Sequence, residues 1–271
     1  MRINVNGILI NYEVQGSGPW LTLIHGSGNS LDVWTQQVAA LSMHFSVLTF
    51  DIRGHGQSDL GTESATADML TEDLHALFEA LGISSSTVLG HSMGAEIAIR
   101  LYLKYSHMVD NLILCNSTMG ALLSDQELMQ YRMKRDEERI DDPDHGHDPD
   151  SRIARYFSIG LMQRKPEVIE RYKEILAINR NQKSSQQRGH QGSMVGELIN
   201  APAGEFRQVS CPTLVILGLN DIIVRPSAVE PVEKYFSNMH VEIIPTGHFS
   251  YLELPKEFSR LVQNFVLSKG I

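Results

Sequence analysis

The sequence predicts an α/β protein in which a doubly wound, mostly parallel sheet carries an inserted helical cap. Short apolar runs rich in β-branched residues recur along the chain, amphipathic helical patterns lie between them, and residues 121–200 interrupt this alternation. Near-continuous apolar runs are typical of parallel strands that are buried on both faces. Strands that alternate with helices favour crossover connections, and therefore a sheet covered by helices on its two sides.

The first predicted strands form a hairpin. RINV and ILINYEV flank Asn6-Gly7, and Asn-Gly between short alternating runs is a strong indication of a tight antiparallel turn. The remaining predicted strands are WLTLI at 20–24, SVLTF at 46–50, STVLG at 86–90, NLILC at 111–115, TLVIL at 213–217 and HVEII at 240–244.

Helical patterns separate these strands. ADMLTEDLHALFEALG at 67–82 places apolar residues three and four positions apart, and Gly82 is suited to end the helix. The segment that follows Ser92 and the segment EFSRLVQNFVL at 257–267 repeat this spacing. Each of these helices is expected to bury one face against the sheet.

Residues 121–200 are different in composition. They hold 13 Lys or Arg and 14 Asp or Glu, together 27 of the 55 charged residues of the chain, and they contain no convincing strand pattern. ELMQYRMKRDEERI and PEVIERYKEILAINR in this segment are typical of amphipathic helices. We predict a core made of residues 1–120 and 201–271, with a helical cap over the strand ends at 121–200.

Composition excludes several classes of partner. The net charge of −9 disfavours nucleic acid and anionic membrane surfaces, and no stretch approaches the ~18 apolar residues that would span a bilayer. The start of the sequence has no secretory pattern, so we expect a cytoplasmic protein with a small-molecule substrate. Neither of the two cysteines lies in a CxxC motif, and both are expected to be reduced. The sequence does not indicate an oligomeric state.

The stretch VLGHSMG at 88–94 places Ser92 between two glycines at the junction of a strand and a helix. This spacing is typical of a sharp turn that exposes a nucleophilic hydroxyl. A serine needs a base, and the base needs a group that orients it. Asp221 and His248 each follow a predicted strand by four residues, and the carboxyl ends of parallel strands meet at one edge.

An oxyanion that develops during attack by Ser92 also needs hydrogen-bond donors. The backbone N–H of Met93 lies at a predicted helix start, where the helix dipole favours negative charge. The loop HGSG at 25–28 follows WLTLI, and its glycines permit close approach of the backbone to a substrate. We predict the N–H groups of Ser27 and Met93 as the two donors.

The segments that carry these residues occur in an order and spacing that resemble the α/β-hydrolase family. The matching segments span nearly the whole chain outside 121–200, and they are HGSG (25–28), DIRGHGQSD (51–59), GHSMG (90–94), GLND (218–221) and TGH (246–248). The resemblance implies a Ser92–His248–Asp221 triad that works without a cofactor or a metal. DIRGHGQSD is expected to form a tight turn stabilised by Asp51 and Arg53.

We predict a cofactor-independent serine hydrolase of small to medium carboxylic esters. The alternatives are a lactonase similar to the 3-oxoadipate enol-lactonases, a carbon–carbon hydrolase of ring-cleavage products, and a ligand-binding receptor that retains the triad. Phe249 weakens the carbon–carbon alternative, because similar relatives often have Trp after the histidine. Serine at 92 argues against dehalogenase and epoxide hydrolase chemistry, in which relatives place an aspartate.

The predicted cap also contains the candidate acyl pocket and one possible metal site. The side chains proposed to line the pocket are Met129, Met133, Tyr156, Phe157 and Leu161, because an acyl group needs an apolar environment. His145 and His147 lie among aspartates in DDPDHGHDPD, a composition more typical of a solvated loop than of metal ligands.

Overall fold

A mostly parallel eight-stranded sheet forms the centre of the computed structural model, which describes residues 1–62, 65–137, 153, 155–181 and 208–268. The strands follow the spatial order β1-β2-β4-β3-β5-β6-β7-β8. They are β1 (Arg2–Val5), β2 (Ile8–Gln15), β3 (Trp20–Ile24), β4 (Ser46–Phe50), β5 (Ser86–His91), β6 (Val109–Cys115), β7 (Thr213–Gly218) and β8 (Met239–Ile244). Each of the predicted strands is therefore present, within a few residues at its ends.

The first two strands are the antiparallel part of the sheet. β2 pairs antiparallel with both β1 and β4, and the pairings from β4 through to β8 are parallel. Asn6 and Gly7 have φ angles of 50° and 77°. These left-handed conformations suit the turn of a two-residue hairpin, as the Asn-Gly pair predicts.

Helices connect the strands and cover the sheet. They are α1 (Thr35–Leu41), α2 (Ala67–Leu81), α3 (Met93–Lys104), α4 (Asp125–Glu137), α5 (Leu161–Arg164), α6 (Pro166–Asn181), α7 (Ser250–Glu253) and α8 (Pro255–Leu267). At the start of α2 the side chain of Thr66 accepts a hydrogen bond from the backbone N–H of Met69, and Gly82 ends the helix with a φ of 68°. Among the described residues, no helix has both the length and the apolar character needed to cross a membrane.

The core lies on both faces of the sheet. Neighbouring residues of one strand belong to different hydrophobic clusters: Val88 packs with residues of α2 and α3, whereas Leu89 packs with residues of α1 and α8. Because successive strand side chains point to opposite faces, the two clusters lie on opposite sides of the sheet. Helices on both sides confirm the doubly wound architecture, and they leave the carboxyl edge of the sheet as the place where loops meet.

The described helices of the predicted cap lie between β6 and β7. These neighbouring strands pair in parallel, so the chain leaves the sheet after Cys115 and returns to it at Thr213. The described part of 121–200 is helical or irregular, with α4, α5 and α6 as its helices. The division into a core and a cap remains a prediction. Cys115 and Cys211 are both free thiols.

Candidate active site

Ser92 occupies a strained turn between β5 and α3. Its φ and ψ are 52° and −115°, a combination that costs a residue with a Cβ about 1–3 kcal/mol. A Cβ on Gly90 would lie 2.3 Å from the carbonyl oxygen of Gly94, and one on Gly94 would lie 2.4 Å from that of Ile24. The two glycines are therefore required by close backbone contacts, and the side chain between them remains partly exposed.

Asp221 follows β7, and its carboxylate accepts hydrogen bonds from four donors. Oδ1 accepts from the backbone N–H groups of Ile223 and Val224, at 2.8 and 3.0 Å. Oδ2 lies 2.8 Å from Nδ1 of His248 and 2.8 Å from Nδ2 of Asn116. The residue is 3% exposed and its side chain is fully buried, so these four donors determine the orientation of the carboxylate.

His248 follows β8 and is held on three sides. Its Nδ1 lies 2.8 Å from Asp221, its backbone N–H donates to the carbonyl oxygen of Tyr156 at 2.7 Å, and its own carbonyl oxygen lies 2.9 Å from Nε2 of His91. The residue is 4% exposed. Because Nδ1 is occupied by Asp221, Nε2 is the ring nitrogen that can exchange a proton with a substrate or a nucleophile.

His91 connects the turn of Ser92 to the loop of His248. The centroids of the two histidine rings are 4.7 Å apart, and His91 precedes Ser92 in the chain. Burial lowers the pKa of His91 well below its usual range, and the Coulombic interaction with the neighbouring His248 acts in the same direction. His91 is therefore a neutral donor from Nε2 to the carbonyl oxygen of His248. The sequence did not predict this contact.

The loop after β3 lies against the turn of Ser92. A Cβ on Gly26 would lie 3.3 Å from the Cβ of Ser92 and 2.7 Å from Nδ1 of His91. Ser27 follows in the same loop and is partly exposed, whereas Met93 begins α3 and is 1% exposed. The structure thus brings both segments with the predicted oxyanion donors close to Ser92, and the donor role of their N–H groups remains a prediction.

Asn116 is a site residue that the sequence did not identify. It follows β6 with a φ of 46°, and its Nδ2 donates to Asp221. Its Oδ1 accepts a hydrogen bond from the hydroxyl of Ser250 at 2.8 Å, and this hydroxyl lies 2.8 Å from that of Thr246. The position of Asn116 at the carboxyl edge of the sheet was the one sequence feature that could have indicated this role.

The turn at 51–59 is built around two buried charged residues. Asp51 accepts hydrogen bonds from the side chain of Asn11 and the backbone N–H groups of Leu31 and Gln57, and burial raises its pKa. Arg53 forms a buried ion pair with Asp73 of α2. These contacts support the predicted structural role of Asp51 and Arg53.

The five predicted pocket residues occupy two kinds of environment. Phe157 and Leu161 are 4% exposed and belong to one hydrophobic cluster, and the ring centroid of Tyr156 lies 6.0 Å from that of His248. Met129 and Met133 are 63% and 56% exposed on α4. The pocket stays a prediction for all five residues, and this exposure favours the three residues at 156–161 over the two methionines.

No group of three or more potential ligands that could hold a metal ion occurs within the described ranges. His145 and His147, the histidines of the acidic loop, lie outside these ranges. The arrangement at the sheet edge instead has the parts that nucleophilic catalysis needs. These are a partly exposed hydroxyl on a strained turn, a histidine, and a carboxylate that orients this histidine.

Comparisons with known proteins agree with this arrangement. A family model described as alpha/beta hydrolase fold matches residues 19–255. The chain is 25% identical to 3-oxoadipate enol-lactonase 2 of Acinetobacter baylyi over 96% of this chain and 94% of the relative. It is 24% identical to the pimeloyl-[acyl-carrier protein] methyl ester esterase of Nitrosomonas europaea, over 92% and 96% of the two chains.

A solved structure gives the same result. The enol-lactonase from Burkholderia xenovorans LB400 superimposes with a TM-score of 0.78 and 26% identity, over 98% of this chain and all of the other. The family model covers most of the chain, including the segments that carry Ser92, Asp221 and His248. This protein therefore belongs to the alpha/beta hydrolase family and is a hydrolase related to the 3-oxoadipate enol-lactonases.

Proposed function

We propose that this hydrolase cleaves small to medium carboxylic esters through an acyl-enzyme, with Ser92, His248 and Asp221 as the catalytic triad. The observation that carries the proposal is the 2.8 Å contact between Nδ1 of His248 and Asp221 next to the strained turn of Ser92. Strain at a residue whose side chain stays partly exposed is typical of a functional site.

In the first half of the reaction, Oγ of Ser92 attacks the ester carbonyl carbon while its proton passes to Nε2 of His248. Asp221 holds the proton on Nδ1 and offsets the charge of the imidazolium that forms. The C–O bond of the tetrahedral intermediate then breaks, and the leaving alkoxide takes the proton from Nε2. The products of this half are an alcohol and the acyl-enzyme.

In the second half, a water molecule gives a proton to Nε2 and attacks the acyl carbon. Collapse of the second intermediate returns the proton to Oγ of Ser92 and releases the carboxylic acid. Both intermediates carry an oxyanion, which the backbone N–H groups of Ser27 and Met93 would bind. One donor of this kind is worth about 10²–10³ in kcat, because it acts on charge that is absent from the substrate.

A lactonase is the second candidate, because relatives named 3-oxoadipate enol-lactonase align over 96% and 99% of this chain. The same triad opens a lactone, with the difference that the leaving alkoxide remains attached to the acyl group. An enol-lactone of this type carries a carboxylate, so its recognition needs a cation near the pocket. Arg155 lies next to Tyr156 and is the described residue best placed in sequence to test this requirement.

The two candidates are distinguished by a matched panel of substrates. We expect the wild type to hydrolyse p-nitrophenyl acetate and butyrate, and a fluorophosphonate to label Ser92 with loss of this activity. A different result would favour the lactonase over the esterase. In that case the wild type hydrolyses a carboxylate-bearing enol-lactone, and Arg155→Gln loses this activity but retains activity on esters. The control is an uncharged lactone of the same ring size.

A binding protein that retains the triad predicts a different time course. It would release at most one equivalent of p-nitrophenol for each active site and then stop, whereas an esterase continues at a steady rate. Absence of both turnover and fluorophosphonate labelling would overturn the proposed function.

A further inference from the structure

Glu253 is a buried carboxylate that links two distant segments of the chain. It ends α7 and is 2% exposed. Its Oε1 accepts hydrogen bonds from the backbone N–H of Gly247 at 2.7 Å and from that of Ser158 at 2.9 Å. Its Oε2 accepts a hydrogen bond from the hydroxyl of Ser158 at 2.5 Å. One partner precedes the proposed base in sequence, and the other lies in the predicted cap.

The two segments are in direct backbone contact as well. The backbone N–H of His248 donates to the carbonyl oxygen of Tyr156 at 2.7 Å. A Cβ on Gly247 would lie 2.6 Å from the carbonyl carbon of Phe157, so a side chain at 247 would force the segments apart. Glu253 therefore holds together two strips of backbone, 156–158 and 247–248, that meet at the proposed base.

The cap side of this contact has a further attachment to the same residue. Nζ of Lys165, which lies between α5 and α6, donates to the backbone carbonyl oxygen of Glu253 at 3.2 Å. Glu253 thus binds the segment from Ser158 to Lys165 through both its side chain and its backbone. Burial makes these bonds important, because a buried donor that loses its acceptor has no water to replace it.

We propose that Glu253 is a positioning residue that couples the predicted cap to the proposed catalytic base. Its carboxylate fixes Gly247, and through it the backbone of His248, while it anchors the segment that carries Tyr156 and Phe157. The ring of His248 then stays aligned with Asp221 only while the cap segment is in place. This inference rests on the proposed function, because it assumes that His248 acts as the base.

Loss of Glu253 is expected to reduce the chemical step. A misplacement of about 1 Å at a reacting group costs on the order of 10²-fold in rate. Removal of the carboxylate frees the N–H groups of both Gly247 and Ser158. A short acyl group such as acetyl does not depend on pocket contacts, so the effect should appear in kcat with little change in KM.

The test compares Glu253→Ala with Glu253→Gln on p-nitrophenyl acetate. We expect the alanine variant to lose about 10- to 100-fold in kcat. The glutamine variant should stay within about threefold of wild type, because its amide oxygen can accept both N–H groups and the hydroxyl of Ser158 can accept from its NH₂. Asp73→Asn is the matched control: Asp73 is also a buried carboxylate, but its partners are Arg53 and Asn6.

Three results of this comparison would overturn the inference. These are a Glu253→Ala variant with the kcat of wild type, a glutamine variant as impaired as the alanine variant, and an equal loss of kcat in Asp73→Asn. If Glu253→Ala does not fold, Ser158→Ala tests the same link, since it removes one of the three bonds and leaves the carboxylate. A kcat of Ser158→Ala equal to that of wild type would also overturn the inference.

The labelling rate by a fluorophosphonate separates this inference from the proposed function. Labelling of Ser92 needs the base but no particular acyl pocket, and it should fall in Glu253→Ala in parallel with kcat. A wild type that is neither labelled nor active overturns the proposed function. A wild type that is labelled, with an alanine variant labelled at the same rate, overturns the role of Glu253 alone.

Discussion

Replacement of Asp221 by Asn changes which nitrogen of His248 carries the proton. In the structure Oδ1 of Asp221 accepts from two backbone N–H groups, and Oδ2 faces His248 and Asn116. The amide oxygen of the new side chain is expected to keep the two backbone bonds, which places its NH₂ toward His248. Nδ1 must then accept a hydrogen bond, so the proton moves to Nε2 and the ring can no longer take a proton from Ser92.

The expected loss is about 10⁴-fold in kcat, which corresponds to about 5.5 kcal/mol of transition-state free energy. The new NH₂ also faces Nδ2 of Asn116. Two donors that face each other cannot form a hydrogen bond, and in a buried site this costs about 1–3 kcal/mol of folding free energy. Part of this cost is recovered if the amide of Asn116 turns over, because the hydroxyl of Ser250 can accept as well as donate. KM should change little.

The assay is steady-state hydrolysis of p-nitrophenyl butyrate, together with thermal unfolding of the same samples. We expect a melting temperature lowered by a few degrees, at about 2–4 °C per kcal/mol for a chain of this size. Asp73→Asn, whose buried carboxylate has other partners, provides the control for loss of a buried charge. Retention of a tenth or more of wild-type kcat in Asp221→Asn would show that the acid lies elsewhere.

Ser92→Ala should abolish hydrolysis at nearly unchanged stability, and Ser92→Gly should be more stable than Ser92→Ala by about 1 kcal/mol, because glycine relieves the strain at a φ of 52°. Chemical denaturation measures the difference, and a less stable glycine variant would contradict it. The rate should fall in acid, because a base that already holds a proton cannot take one from Ser92; a flat profile would argue against a histidine base. His91 stays neutral in the fold but is protonated in the unfolded chain below about pH 6.5, so the free energy of unfolding should fall below that pH. His91→Gln keeps the donor to His248 and should flatten this fall; an identical pH dependence in both proteins would refute the account.

The sequence by itself determined the sheet and the identity of the proposed triad. Strands appear in the sequence as apolar runs. The glycines on either side of Ser92 indicate a turn whose close backbone contacts leave no room for a larger residue. Asp221 and His248 could be chosen because each follows a strand, and parallel strands end at one edge. Each of these features depends only on residues a few positions away in the sequence and on one general rule, that parallel strands end at the same edge of a sheet.

The tertiary structure alone decided which polar groups surround the proposed triad. Asn116 and Asp221 are 105 residues apart in sequence, and Ser158 and Glu253 are 95 apart. Such contacts leave no periodic pattern, because a single polar residue in a loop has the same local sequence whether it faces solvent or a buried carboxylate. For the same reason the sequence could not predict that Met129 and Met133 are exposed. An apolar residue on a charged helix does not indicate which neighbour, if any, covers it.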